Sequence, residues 1–296
     1  MRELIKRDVA APVLSLIFFQ GLTTMAMNSF ANAPSEVSAS YGIPESFTGI
    51  FTAICYLSAL TFGLFISGPL ERYGAVRCCQ VALFVGACGM VIFTMATPWS
   101  FLTSAILVGF AHAPMNPAGS FVIMRQSVPK WRPFLFSLKQ TSIPLGGTLA
   151  GLLVPALVIF ADWQTTMIII AVTMAIAAII AQPFRDEIKT TQKKREIIAM
   201  ADVFVPVKLV FRKGPIRELC LAAFTLIGCQ ACVVAFLVIY LIKEVGLELQ
   251  WAGFVFGLAH GSSIFARIYL GFVAERFVKT KTCLLYTSDA ADDVIS

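Results

Sequence analysis

Chemistry in this chain can come only from a few polar and ionisable side chains set within long apolar runs: His112, Lys139, His260 and Arg267, with Arg125 at the end of one run. A charged group costs about 2.5 to 3.5 kcal/mol at the centre of a membrane helix, so those retained there are candidates for binding or moving something. No Asp or Glu falls in the interior of any of the apolar runs. Cations and amides without acids suit a small anion. His112, Asn116 and Ser120 recur at i, i+4 and i+8 on one helical face, and Pro114 and Pro117 interrupt the same run. Prolines there free carbonyls that need cavity water or polar partners. Gln20, Thr24 and Asn28 form a second stripe, and Gln230 is the main polar residue of its run.

Each of these residues has a plainer alternative. Lys139 sits about five residues into its run, where its stem can snorkel to the headgroups or line a cavity beside Gln140, Thr141 and Ser142. His112, His260 and the polar stripes can equally serve as interhelical hydrogen bonds. His260 lies within Gly253, Gly257 and Gly261, a series at the spacing of close helix packing. Arg267, one turn from the end of its run, belongs either to a gate or to a solute site.

Intramembrane hydrolysis needs paired acids, or a base within reach of a nucleophile. The nearest pair, His260 and Ser262, stands at i, i+2, which do not face each other on a helix. No catalytic residue, cofactor or metal site is expected. Cys229 and Cys232 form a CxxC in mid-run, which reads as packing, as do most of the 8 Cys.

The elements that position these groups follow from composition. Apolar residues make up 58% and charged residues 14%, with a mean hydropathy of +0.81, against about a quarter charged in soluble chains. Eight runs, near 11–33, 47–66, 78–96, 101–124, 134–160, 165–181, 218–241 and 250–270, have the roughly 20 residues a spanning helix needs. They lack the alternation of barrel strands. The predicted class is an all-α, multi-pass membrane protein.

Of the 23 Lys and Arg, 21 fall in the N-terminal tail or in segments 67–77, 125–139, 182–217 and 271–282. That asymmetry predicts a cytoplasmic N-terminus and explains the net charge of +6 without nucleic acid. The opening stretch also has the form of a secretory signal with a cleavage box at Phe30–Ala33, but Pro34 would follow the cut and the run is too long.

An internal repeat organises the chain. SGPLERYGAVR at 67–77 and GFVAERFVKTK at 271–281 both place Glu-Arg-aromatic at a basic helix end, as Glu71-Arg72-Tyr73 and Glu275-Arg276-Phe277, six runs apart. Parallel six-span repeats are a transporter architecture. The first copy resembles the G-x-L-x-D-R-x-G-R-R/K signature of the major facilitator superfamily through Glu71, Arg72 and Gly74, with Ser67 at the first Gly position and Gly68 beside it, and with only Arg77 supplying the later basic charge. Pro69 stands at the Leu position and Glu at the Asp position. The second copy keeps Gly271, Glu275, Arg276 and Lys279. FSLKQTSIPLGG and the runs after Cys220 are similar to bacterial facilitators of the cyanate and small organic-anion type.

The resemblance implies about eight of twelve helices: an N-terminal six-helix bundle at 1–182, a cytoplasmic linker at 183–217, and the first two helices of a second bundle at 218–282. Residues 283–296 are polar and acidic, resemble translated sequencing adapter, and read as a non-native tail. It further implies secondary active transport of a small organic or inorganic anion by alternating access, in a bacterial inner membrane. A proton or a counter-transported anion would be the coupling partner. Glu71, Arg72, Arg77, Arg267, Glu275 and Arg276 would form the gate, and spans one, four and seven would line the cavity. A membrane-embedded sensor on the same scaffold is the alternative function.

Overall fold

The computed structural model describes residues 7–126, 132–182 and 214–277, and among them every regular element is helical. The order is α1 (Arg7–Asn28), a 3-10 turn (Phe30–Asn32), α2 (Pro34–Tyr41), α3 (Phe47–Phe65), α4 (Ser67–Tyr73), α5 (Ala75–Phe93) and α6 (Pro98–His112). There follow α7 (Met115–Gln126), α8 (Arg132–Gln140), α9 (Ser142–Phe160), α10 (Trp163–Ile180), α11 (Gly214–Lys243) and α12 (Leu249–Phe277). Among the described residues six segments are long and apolar enough to cross a bilayer: 47–65, 75–93, 98–125, 134–160, 163–180 and 220–243. The first expected run is shorter, Val13–Asn28. The eighth lies within α12, whose His260 and Arg267 interrupt its apolar character.

Local chemistry accounts for the breaks. The first run was expected to reach residue 33, but α1 stops at Asn28 and a 3-10 turn follows; Pro34 then disfavours helical conformation at Ala33 and opens α2 as its first residue. Thr97 accepts from the Ser100 N–H, and the Ser100 hydroxyl accepts from the Thr97 N–H, a reciprocal cap at the start of α6. Asp162 caps α10 by accepting from the Thr165 N–H. The fourth run is two helices, α6 and α7, parted at Ala113 and Pro114, and the fifth is α8 and α9, parted at Thr141.

Helices α1, α3, α5, α6, α7, α8, α9 and α10 share one apolar core, while α11 and α12 form a second, smaller one around Val238, Ala252 and Phe256. The bundle has two chemically distinct ends. Arg72, Arg77, Arg125 and Arg132 mark the basic end, and Glu36, Glu45, Asp162, Glu244 and Glu248 the acidic end.

The acidic end is closed by an aromatic cluster of Phe30, Tyr41, Phe51, Phe93, Phe101 and Trp163, with ring centroids 5.1 to 6.4 Å apart. Tyr41 donates its hydroxyl to the Phe93 carbonyl at 2.5 Å, and Trp163 Nε1 donates to Ser40 at 2.8 Å. Burial pushes the Tyr41 phenol up to about 12, although the hydrogen bond with Ser100 pulls it down. The raised value means the fold favours the neutral phenol. That stabilisation is complete below about pH 10, the ordinary tyrosine value, and is lost as pH rises through about 12. Tyr41→Phe is expected to cost about 1 kcal/mol and to remove this alkaline step, as read from thermal midpoints between pH 7 and 12.

Candidate functional site

The polar residues of α1, α6, α7, α8 and α9 meet where three helices are broken or closely apposed. A methyl group at Gly146 of α9 would lie 2.7 Å from Thr24 Cβ and closer still to the Gly21 carbonyl, so the α1 and α9 backbones touch. That contact brings Gln20 beside Ser142. Ser142 Oγ donates to Gln20 Oε1 at 2.8 Å and is also 2.6 Å from the Lys139 carbonyl. Gln20 is 1% exposed, and its Nε2 has no hydrogen-bond partner among the described residues. An unpaired buried amide donor is costly, about 1 to 3 kcal/mol, and marks a place where an acceptor fits.

Lys139 does not snorkel. It is 3% exposed, and Nζ donates to Asn116 Oδ1 at 2.6 Å and to the Asn116 carbonyl at 3.0 Å. The route for its stem is a groove at Gly119. A methyl group there would lie 2.7 Å from Lys139 Cε and 3.0 Å from Cδ. The ammonium thus rests on neutral oxygens, and no acid occurs within the spans. Asn116 itself is exposed, so the pair lies at the rim of the bundle interior.

The face shared by His112, Asn116 and Ser120 is split by the break at Pro114. His112 ends α6 and approaches Thr23 of α1, with Nδ1 3.3 Å from Thr23 Oγ1, while Asn116 turns to Lys139. Both contacts are the interhelical bonds that were the plainer alternative. Thr24 donates back to the Gln20 carbonyl at 2.8 Å, and the Asn28 carbonyl accepts from Asn32. Gln230 is exposed on α11, outside this cluster.

His260 and Arg267 come to the cluster across the α9–α12 seam. The His260 ring covers Gly147 and packs on Phe256 with centroids 4.6 Å apart. Arg267 Nη1 donates to the Gln140 carbonyl at 3.1 Å, next to Lys139. The glycine series packs closely, as its spacing suggests: a methyl at Gly151 would be 2.6 Å from the Gly253 carbonyl oxygen and 2.9 Å from Gly257 Cα.

At the basic end the first signature copy forms α4 and the turn into α5. Gly74 has φ 84° and ψ 159°, a region that only glycine occupies readily, which explains a glycine at this motif position. Gly68 and Glu71 are half-buried, Arg77 is exposed, and the Arg72 guanidinium lies 5.3 Å from the Tyr73 ring centroid. Gly271, Glu275 and Arg276 fall in the last turns of α12, and their side chains lie outside the described residues, as do segments 183–213 and 278–296.

Sequence reasoning missed Thr23, Gly119 and Gly146. Gly119 could have been found three residues after Asn116, where a small residue leaves room for a crossing stem.

Comparisons bear on the same architecture. The family model described as Major Facilitator Superfamily matches residues 14–288. Two solved structures of a bacterial homologue of the human lysosomal transporter Spinster, inward-facing and unoccupied or occupied, superpose with TM-scores of 0.74 and 0.67. Both are 16% identical; they cover 92% and 90% of this chain, which spans 64% and 62% of theirs. At that identity the likeness is one of fold. No curated protein sequence matches. With its repeat of helix-end motifs, its helical bundle and a family match over most of its length, the chain belongs to the major facilitator superfamily of membrane transporters.

Proposed function

We propose that the chain is the larger part of a secondary transporter that carries a small organic or inorganic anion across a cell membrane by alternating access. Residues 1–182 would be one bundle, 183–217 the cytoplasmic linker and 218–282 the opening helices of the other, with the N-terminus in the cytoplasm. The observation that carries the reading is the charge balance of the polar cluster. Lys139 is held on neutral oxygens, Gln20 Nε2 is a buried donor without an acceptor, and no acid stands within the spans to neutralise them. Such a set lacks one component, a negative charge.

In this mechanism the solute accepts from Gln20 Nε2 and draws the Lys139 ammonium from Asn116, with His112, His260 and Arg267 as further donors. The two bundles then rock about the occupied site. An ammonium without a counter-charge is expensive to carry across a low-dielectric barrier, so the empty site should resist reorientation. Exchange of one anion for another is therefore expected to outpace net uptake. The check is counterflow of labelled acetate or sulfate into proteoliposomes holding the intact transporter. Equal rates with and without an internal anion would refute exchange, and the absence of any anion flux would refute the reading.

A further inference from the structure

The turn that joins α7 to α8 holds two guanidinium groups and no acid. From Glu71 to Asp162 the sequence contains no other Asp or Glu, and neither Arg125 nor Arg132 makes an ion pair among the described residues. Arg125 is exposed in the last turn of α7, and its guanidinium lies over the Phe121 ring, 4.2 Å from the centroid. The ring holds the group in place through its π face but offers no oxygen to its N–H groups. Arg132 opens α8 and reaches back, its Nη2 donating at 2.9 Å to the Met124 carbonyl, one of the four that the end of α7 leaves without an intrahelical partner. Met124 and Arg125 are adjacent, so both guanidinium groups gather at one helix end, each matched there by a neutral partner.

Depth in the bilayer follows from the spans. One ends at Arg125 and the next begins at Phe134, two residues after Arg132. Both cations therefore stand at the level of the lipid headgroups. Met124 is 51% exposed and Phe134 41%, which gives the same helix ends an apolar rim on the hydrocarbon side. A free phosphate would meet the charges and leave that rim uncovered, whereas a phospholipid meets both. A zwitterionic headgroup brings a cation for which this turn has no acid, so a lipid of net negative charge fits better.

We propose that the α7–α8 turn binds the phosphodiester headgroup of an anionic phospholipid, held by Arg125 and Arg132, with the acyl chains on Met124 and Phe134. A guanidinium suits this ligand because its planar fork donates two N–H groups to two phosphate oxygens at once. The lipid clamps the outer end of a helix pair whose inner end is already tied, since α7 carries Asn116 and α8 carries Lys139, joined at 2.6 Å. The site uses none of the donors of the solute cluster and does not rest on the anion reading.

The test is hydrogen–deuterium exchange of the full chain in phosphatidylcholine nanodiscs with a rising fraction of phosphatidylglycerol. Exchange in segments 115–126 and 132–140 is expected to fall as that fraction rises, while segments 47–65 and 163–180 stay unchanged. Arg125→Gln and Arg132→Gln should each weaken the apparent affinity about fivefold, and the double variant should abolish the response. Arg125→Lys keeps the charge but loses the fork, and should weaken it severalfold as well. Arg125 is exposed, so its variants should keep the fold and leave the test independent of the Arg132 contact with Met124. Diffuse attraction of a basic surface to an acidic membrane would leave Arg125→Lys like the native chain, and that result, or an unresponsive native turn, overturns the proposal. Sodium phosphate added to phosphatidylcholine nanodiscs at constant ionic strength should give no protection. Protection equal to that of phosphatidylglycerol would make a soluble phosphate the ligand and overturn the lipid site.

Discussion

Gly151→Ala is expected to destabilise the chain by about 1 to 3 kcal/mol, although alanine is the better helix former. The added methyl would sit 2.6 Å from the Gly253 carbonyl oxygen, 2.6 Å from the Gly257 nitrogen and 2.9 Å from its Cα. All three are backbone atoms of α12, so no rotamer change relieves the clash. The helices must separate, and with them go the contacts of Pro155 on Gly253 and His260 on Gly147. In a bilayer the hydrophobic effect does little to hold helices together, and close packing is the main attraction, so separation forfeits most of what holds this seam. Gly63 is the control, since nothing lies within 4 Å of a methyl there. Gly63→Ala should stabilise by up to about 1 kcal/mol through helix propensity alone. The two substitutions are chemically identical and opposite in sign, and SDS titration of the purified chain, followed by circular dichroism, would measure both.

The α9–α12 seam was half legible in the sequence. Gly253, Gly257 and Gly261 at four-residue spacing announce a helix that packs closely, but not its partner. Gly147 and Gly151 supply the opposing surface, over a hundred residues away, and no local pattern links the two. A bilayer imposes a length on every run, so most runs became helices near the expected places, although among the described residues six segments rather than eight are long and apolar enough to span. The breaks were legible from prolines: Pro114 and Pro117 interrupt the fourth run, and Pro144, which has no N–H for the Gln140 carbonyl four residues earlier, marks the break at Thr141 where α8 ends.

Within the polar cluster, residue types were easier to read than partners. His112 and Asn116 were expected to share a face; the break between α6 and α7 sends one to Thr23 and the other to Lys139. Lys139 had two open fates, and the deciding residue, Gly119, carries no side chain to attract notice. Gln20 was legible as a polar residue in an apolar run, while its unpaired Nε2 emerges only once Ser142 is seen to occupy Oε1. The meeting of Arg125 and Arg132 was invisible for a different reason. Exposed charges at helix ends are ordinary, and only the assembled turn brings these two to one helix end.

Lys139→Met is expected to leave the chain as stable as before, or more stable, while reducing anion flux at least tenfold. Methionine has a similar unbranched stem and can follow the Gly119 groove, so packing is largely kept. What disappears is an ammonium 3% exposed and resting on neutral oxygens, whose burial is poorly compensated. Asn116 is exposed rather than packed in the core, so the substitution strands no fully buried acceptor there. Lys139→Ala gives the contrasting result, since it removes the stem as well and leaves a cavity costing about 2 to 5 kcal/mol by analogy with other large-to-small core changes. If the cation were retained for architecture, both variants would lose stability together and flux would fall only as folded protein falls. Normalising flux to the folded fraction decides between them: a purely structural Lys139 predicts no residual difference from the native chain, whereas a solute-binding Lys139 predicts a folded, inactive methionine variant.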